Sequence, residues 1–310
     1  MKALRDVWAD TLVALAKEDP RIVMLDGDLA NSTKADKFAA AHPDRFLEMG
    51  IAEQNMVGVA VGMAAVGFVP WLSTFTVFFT HRAIDPIRML VAQTQANVKI
   101  GAAYSGLMTG YTGKTHQDVE DLAIMRAMPQ MTVLAPADQY ECAAMIKWAT
   151  DYHGPVYLRL TRDAGADVFG SDYQFTLGEV RRLRQGKHAL LISTGPQSAR
   201  CLEAANELAK QQIEVGVLHL PSIKPLNEAA LLDACSNYDL IFTVEEHSVY
   251  GGLGGLVAEL LSANSPRRVI RYGLEDKWGE SAPNDFLLDK YGLSALQVSR
   301  RIAADFQNKK

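Results

Sequence analysis

The stretch Met49-Gly50-Ile51-Ala52-Glu53-Gln54-Asn55-Met56 sets a carboxyl at a strand-to-helix junction. Behind it Gly58, Ala60, Gly62, Ala64 and Ala65 make a small-sided helix against which something is expected to pack closely. Taken alone, an acid at a helix start is a partner for the positive end of the helix dipole; in polar company it becomes a proton donor or acceptor. Such company exists. His116, in Gly113-Lys114-Thr115-His116-Gln117, has a loop setting from which it can donate to a hydroxyl or to a developing oxyanion, although a surface histidine has the same local appearance. Phe75 and Phe78, in Thr74-Phe75-Thr76-Val77-Phe78, are either a flat apolar platform or two core aromatics at helical spacing. Arg5 and Arg162 carry planar guanidiniums suited to an anion, with Ser32 as a further candidate donor, while Arg5 also reads as a solvated helix-end arginine.

The elements that must position these residues follow from periodicity. Leu4, Trp8, Leu12 and Leu15 recur at helical spacing until Asp19-Pro20, and Ile22-Val23-Met24-Leu25 reads as a buried strand. Strands near Phe46-Met49, Val69-Ser73, Val98-Ala103, Met131-Leu134 and Val156-Arg159 alternate with helices around Ala52-Gly67, Ala83-Gln95, Asp118-Arg126 and Ala143-His153. That alternation predicts a mostly parallel sheet flanked by helices over residues 1–165. The polar stretch Thr161-Gly178 breaks the pattern, giving a linker over 166–185. A second α/β domain over 186–310 follows, with strands Ala189-Ser193, Val215-His219 and Leu240-Glu245 and helices Ala199-Gln211 and Glu228-Ala234. Ligands collect beyond the carboxyl ends of parallel strands, so the loops after Leu25, Met49, Ser73 and Ala103 carry the interest.

The 310 residues are 48% hydrophobic and 22% charged, with a formal charge of -5. The basic residues are scattered, which leaves no footprint for nucleic acid. No apolar run reaches the roughly 18 residues of a membrane helix, and the start of the chain has no signal core, so a cytoplasmic location is expected. Cys142, Cys201 and Cys235 are too few and too separated for a disulfide framework or a zinc site and are expected to be buried thiols.

Several of these segments together are recognisable. Gly50-Ile51-Ala52-Glu53-Gln54 resembles the glutamate motif of the pyrimidine-binding domain of thiamine diphosphate enzymes, specifically of transketolase and deoxyxylulose-phosphate synthase. Thr74-Phe75-Thr76-Val77-Phe78 looks like the transketolase Thr-Phe-x-x-Phe segment, and Gly113-Lys114-Thr115-His116-Gln117 matches the Gly-x-Thr-His-Gln loop. Asp28-Leu29-Ala30-Asn31-Ser32 is similar to the family's Asp-Leu-x-x-Ser loop, and Arg162 stands where a phosphate-binding arginine is found. These ordered matches cover about residues 1 to 165; the second domain, including Val244-Glu245-Glu246-His247 and the glycines from Gly251 to Gly255, resembles the carboxy-terminal domain of the same superfamily.

The resemblance implies a thiamine diphosphate-dependent transketolase that moves a two-carbon ketol unit. In it Glu53 bonds the cofactor pyrimidine as a protonated or proton-sharing carboxyl, a state that burial favours. Phe75 and Phe78 carry the ring, Asp28 and His81 lie near the cofactor, His116 serves the substrate, and Ser32, Arg162 and Arg5 hold a sugar phosphate. His81 falls one residue out of register with the family's cofactor-contacting tyrosine. Two departures concern the sugar: the usual His-Asp pair is replaced near Tyr104-Ser105, and the acid before the Gly of the Thr-His-Gln loop by Thr112.

A third departure is the diphosphate-binding domain, which comes first in the family and is missing ahead of Met1. Leu25-Asp26-Gly27-Asp28 lacks the first glycine of the metal motif, so this chain holds no metal itself, and Mg2+ falls to a separate amino-terminal subunit. The expectation is therefore the carboxy-terminal half of a split enzyme, assembled as a two-plus-two heterotetramer. The alternatives are the beta subunit of a thiamine-dependent 2-oxo acid dehydrogenase, which lacks the Thr-Phe-x-x-Phe and Thr-His-Gln pair, a deoxyxylulose-phosphate-synthase-like enzyme, and a non-catalytic half that has kept the fold.

Overall fold

Ile22-Val23-Met24-Leu25-Asp26 has no polar alternation and is buried at all of its positions, the mark of a strand covered on both faces. The computed structural model, which describes residues 1–307, places it second from one edge of a seven-stranded sheet. The strands are β1 (Ile22–Asp26), β2 (Phe46–Glu48), β3 (Val69–Phe75), β4 (Lys99–Ala103), β5 (Thr132–Leu134), β6 (Val156–Arg159), β7 (Arg181–Arg184), β8 (Ala189–Ser193), β9 (Val215–His219), β10 (Ser222–Lys224), β11 (Leu240–Ser248) and β12 (Arg268–Leu274). The first sheet runs β10-β5-β6-β4-β3-β1-β2, parallel except for β10, and the second runs β12-β11-β8-β9-β7, parallel except for β7.

Register brings Leu25 opposite Leu72 and Leu72 opposite Ile100, so the centre of the first sheet is a continuous apolar layer. Each of these side chains is fully buried, and each such burial is worth about 1.5–3 kcal/mol. The helix Leu4–Glu18 lays Leu4, Trp8 and Leu12 on one face of the sheet, and Glu53–Ala65 lays Met56, Val57 and Ala60 on the other. The small-sided face of the second helix is open: a side chain at Gly58 or Gly62 would meet nothing within 4 Å. The expected close packing is thus not made within this chain.

Three further findings differ from the sequence reading. β7 lies inside the expected linker, and the segment ahead of it is pinned by Asp138, which caps the helix Gln139–Asp151 and accepts from the Val168 and Phe169 amides at 2.7 and 2.6 Å. β10 comes from the second domain but completes the edge of the first sheet, pairing Ser222 with Leu134. Around residues 78–92 the chain winds in wide π turns, Phe78–Arg82 and Ile87–Ala92, flanking a short α turn at Ile84–Pro86, in place of one α-helix. A π turn holds more residues than an α turn and so absorbs an extra one; the one-residue offset at His81 falls there.

Candidate functional site

Glu53 opens its helix with a side chain only 1% exposed. Gly27 lies close over it, since a Cβ at that position would sit 3.6 Å from Glu53 Cγ and 3.4 Å from Thr74. A buried carboxylate needs compensation, and the structure supplies it from a residue that the sequence reading did not single out. Arg82, at the end of the first π turn, donates from Nη1 to Glu53 Oε1 at 2.6 Å. Its guanidinium lies over the Phe78 ring, 4.3 Å from the centroid, and its backbone carbonyl accepts from Gln54 Nε2. Glu53 Oε2 is buried and has no hydrogen-bond partner among the described residues.

Beyond Phe78 the aromatic rings continue. Phe75 ends β3 rather than sharing a helix with Phe78, and the two rings stack at 5.9 Å. Tyr104 stacks on Phe75 at 3.9 Å, and His116 meets both phenylalanines edge-on at 5.7 Å. Tyr104 has φ 62°, a left-handed conformation that is uncommon outside glycine. Its hydroxyl accepts from Arg5 Nη1 at 2.8 Å and from Arg162 Nε at 3.2 Å. Arg5 Nη1 also donates to the Ser32 carbonyl at 2.6 Å, and Arg5 Nε is buried without a partner. A backbone bridge between Ala3 and Ala164 brings the two arginine-bearing segments together. Arg5 is therefore not the solvated helix-end arginine of the alternative reading.

The loop that carries His116 is held from the second domain. Glu246 Oε1 accepts from the Leu107 and Met108 amides, both at 2.9 Å, and Arg200 neutralises its other oxygen. Gly106, at φ +74°, has Glu246 Oε1 2.5 Å from where a Cβ would stand, so a side chain there would break the contact. Gln117 donates to the Glu280 carbonyl and Ser281 to that of Tyr111. His116 Nδ1 is 2.8 Å from Thr115 Oγ1.

Glu53, Phe75, Phe78, His116, Arg5, Arg162 and Ser32 are thus joined through Arg82 and Tyr104, from segments that follow β1, β2, β3, β4 and β6 and from the first helix. Two other expected residues stand apart from these rings. Asp28 is exposed at the tip of its loop, where its amide donates to Glu48. His81 points to Glu120, 3.7 Å away. The neighbouring Asp26 organises the Asp28 loop by accepting from the Leu29 amide and from Thr33, and burial pushes its carboxyl up to about 6. Burial, with Asp121 nearby, also pushes Asp118 up to about 6, and Thr80 donates to it. The three cysteines are free and buried.

Comparison with known proteins adds the following. The model of the transketolase pyrimidine binding domain matches residues 1–166, and that of the transketolase C-terminal domain matches residues 178–298. A chain of Methanocaldococcus jannaschii described as a transketolase C-terminal section is 37% identical, over 99% of this chain and 97% of its own length. The 6-deoxy-6-sulfo-D-fructose transketolase subunit of a Clostridium species is 38% identical, over 96% and 92%. A solved structure described as a split gene transketolase, inactive beta4 tetramer, superposes with a TM-score of 0.91 at 41% identity, covering both chains fully.

Proposed function

Since the chain belongs to the transketolase family, we propose that it is the carboxy-terminal subunit of a split transketolase, moving a two-carbon ketol unit from a ketose phosphate or related sugar donor to an aldose. The pyrimidine-binding domain implies dependence on thiamine diphosphate. The residues present fit that group: Glu53 Oε2 is buried and without a partner, which leaves it one hydrogen bond for a ring nitrogen, and Phe75 and Phe78 are stacked nearby as an apolar platform. When bound, thiamine diphosphate supplies a nucleophilic thiazolium carbon that takes up and hands on the two-carbon unit.

Everything else in the reaction is positioning and proton handling by this chain. Glu53 holds the shared proton at Oε2 against the pyrimidine nitrogen, while Arg82 keeps Oε1 occupied and so fixes which oxygen faces the ring. Burial of the carboxyl excludes water, which would compete for that bond. His116, edge-on to the platform, donates to an oxygen of the substrate. Arg5, Arg162 and Ser32 receive the anionic end of the sugar phosphate.

Mg2+ and the diphosphate are held by an amino-terminal partner subunit, the whole forming a two-plus-two heterotetramer. Relatives named as subunits and matched over nearly their full lengths support this reading, as does a neighbour described as a split gene transketolase, inactive beta4 tetramer. So does the apolar surface around the Glu53 helix, where Ile51 is 70% exposed and Val66 75%.

The observation that carries the proposal is the partnerless, buried Glu53 Oε2 beside the stacked rings. The test is an assay of the chain reconstituted with its amino-terminal partner, thiamine diphosphate and Mg2+. Turnover of a ketose phosphate with an aldose is expected; decarboxylation of a 2-oxo acid instead would replace the proposal with the dehydrogenase reading.

A further inference from the structure

The platform and the histidine beside it stand on separate walls. Phe78 and Arg82 belong to the π turn Phe78–Arg82 that follows β3, while His116 belongs to the loop that follows β4. His116 meets the Phe78 ring edge-on at 5.7 Å, and Arg82 holds Glu53 at 2.6 Å. The separation of the two walls therefore sets where His116 stands relative to the rings. Neither wall is a long regular element: the π turn has five residues, and between β4 and the helix Asp121–Ala127 the loop forms only a short 3-10 turn at Gly110–Thr112.

Asp118 reaches from one wall to the other. It lies two residues beyond His116 and is 1% exposed, and its Oδ2 accepts from the hydroxyl of Thr80, which is equally buried at the middle of the π turn. Its Oδ1 accepts from the Glu120 amide at 2.9 Å and its carbonyl from the Gly106 amide at 2.8 Å, which fixes the carboxyl within the His116 loop. Among the described residues no ion pair reaches it. Arg159 is bound to Asp121 at 2.8 and 3.0 Å, and His81, facing it from the π turn, stands 3.7 Å from Glu120. Burial, with Asp121 nearby, pushes the Asp118 carboxyl up to about 6, yet either protonation state makes the same tie. Ionised, Asp118 accepts the Thr80 proton; neutral, it donates to Thr80, whose own proton then has the Thr76 carbonyl at 3.1 Å.

We propose that Asp118 is a positioning residue, whose bond to Thr80 clamps the His116 loop to the π turn and so sets His116 against the Phe78 ring. It acts through His116 and through the turn that carries Arg82. The inference rests on the reading of His116 and the stacked rings as the reacting surface and adds the contact that fixes their separation. The other link between the walls, His81 with Glu120, is 47% and 37% exposed and contributes little as an ion pair. Placement of this kind governs rate: a shift of about 1 Å in a donor can cost on the order of 100-fold.

The first arm of the test needs no reaction. In nuclear magnetic resonance of the full chain carrying isotope-labelled histidine, the His116 ring signal, identified by its loss in His116→Gln, is expected to be displaced by the Phe75 and Phe78 rings. Thr80→Val, which keeps the shape of threonine, and Asp118→Ala both break the tie and should move the signal toward that of an exposed imidazole. Asp118→Asn still donates to Thr80 and should leave it in place. The second arm is turnover of the complex reconstituted with the amino-terminal partner, thiamine diphosphate and Mg2+. There kcat should fall about tenfold or more in Thr80→Val and in Asp118→Ala, and return to within about threefold of native in Asp118→Asn. The double variant Thr80→Val with Asp118→Ala should lose no more than the worse single one, since both remove one bond. An unmoved His116 signal in Thr80→Val and Asp118→Ala would overturn the proposal, as would a loss in Asp118→Asn as deep as in Asp118→Ala. A native complex that turns over no sugar would refute the functional reading instead, and the His116 signal would still decide the tie.

Discussion

Arg82 shows how one side chain can define a site that others furnish. It compensates Glu53, covers the Phe78 ring and accepts from Gln54 through its carbonyl. Removing it as Arg82→Ala leaves a carboxyl that is 1% exposed without its cation. Because the Arg82 side chain is itself 42% exposed, the loss falls below that of a fully buried pair, about 1–3 kcal/mol, with partial rescue by Arg82→Lys; urea unfolding measures it. Glu53, Phe75, Phe78 and His116 were singled out because the short segments that hold them resemble family motifs, and the structure brings the three rings together. Arg82 was not, because its partner is 29 residues away and its direction depends on the π turn at Phe78–Arg82. Tyr104 was legible only as a departure: nothing in a linear sequence says that a phenol will meet arginines 99 residues before it and 58 after.

Among the elements, the central strands were readable because they are mostly apolar, as β1, β4 and β8 are buried at every position. The missed strands lack that signal for physical reasons. Arg181-Arg182-Leu183-Arg184 is an edge strand whose charged side chains reach solvent, and Ser222-Ile223-Lys224 gains its partner only when the two domains meet. β12 is also an edge strand, half open to solvent over Arg268 to Arg271. β4 hides a second exception, a lysine in the sheet centre. Lys99 is fully buried and donates to the Tyr152 and Gly154 carbonyls at 2.7 and 2.6 Å, and burial pulls its ammonium down to about 7 from the ordinary 10.5. Between those values the unfolded chain binds more protons than the native one, so this group makes stability rise as the pH climbs from about 7 towards 10.5. Lys99→Met should flatten that rise, and unfolding midpoints at pH 7, 8.5 and 10 would reveal it; an unchanged slope would place the pH dependence elsewhere.

At the scale of the whole molecule the two α/β domains act as one support. β10 extends the first sheet, Glu246 holds the Leu107 and Met108 amides, and Arg159 bonds both Asp121 and the Glu246 carbonyl. The second domain thereby fixes the loop that carries His116, although its own strands hold none of the rings or the carboxyl. The Glu53 helix and its flanks leave several groups unpaired within the chain: Glu53 Oε2, the open small-sided helix face at Gly58 and Gly62, and exposed Ile51 and Val66. Those features are what a subunit needs if a partner and a cofactor complete it. The central claim is that Glu53 acts on that cofactor, and the most direct measurement is turnover of the complex reconstituted with native chain or with Glu53→Gln. The amide is close in shape and stays buried, so assembly, followed by analytical ultracentrifugation, should be unchanged. The account predicts that kcat falls by on the order of 100-fold or more. A variant complex turning over within a few-fold of the native one would contradict it.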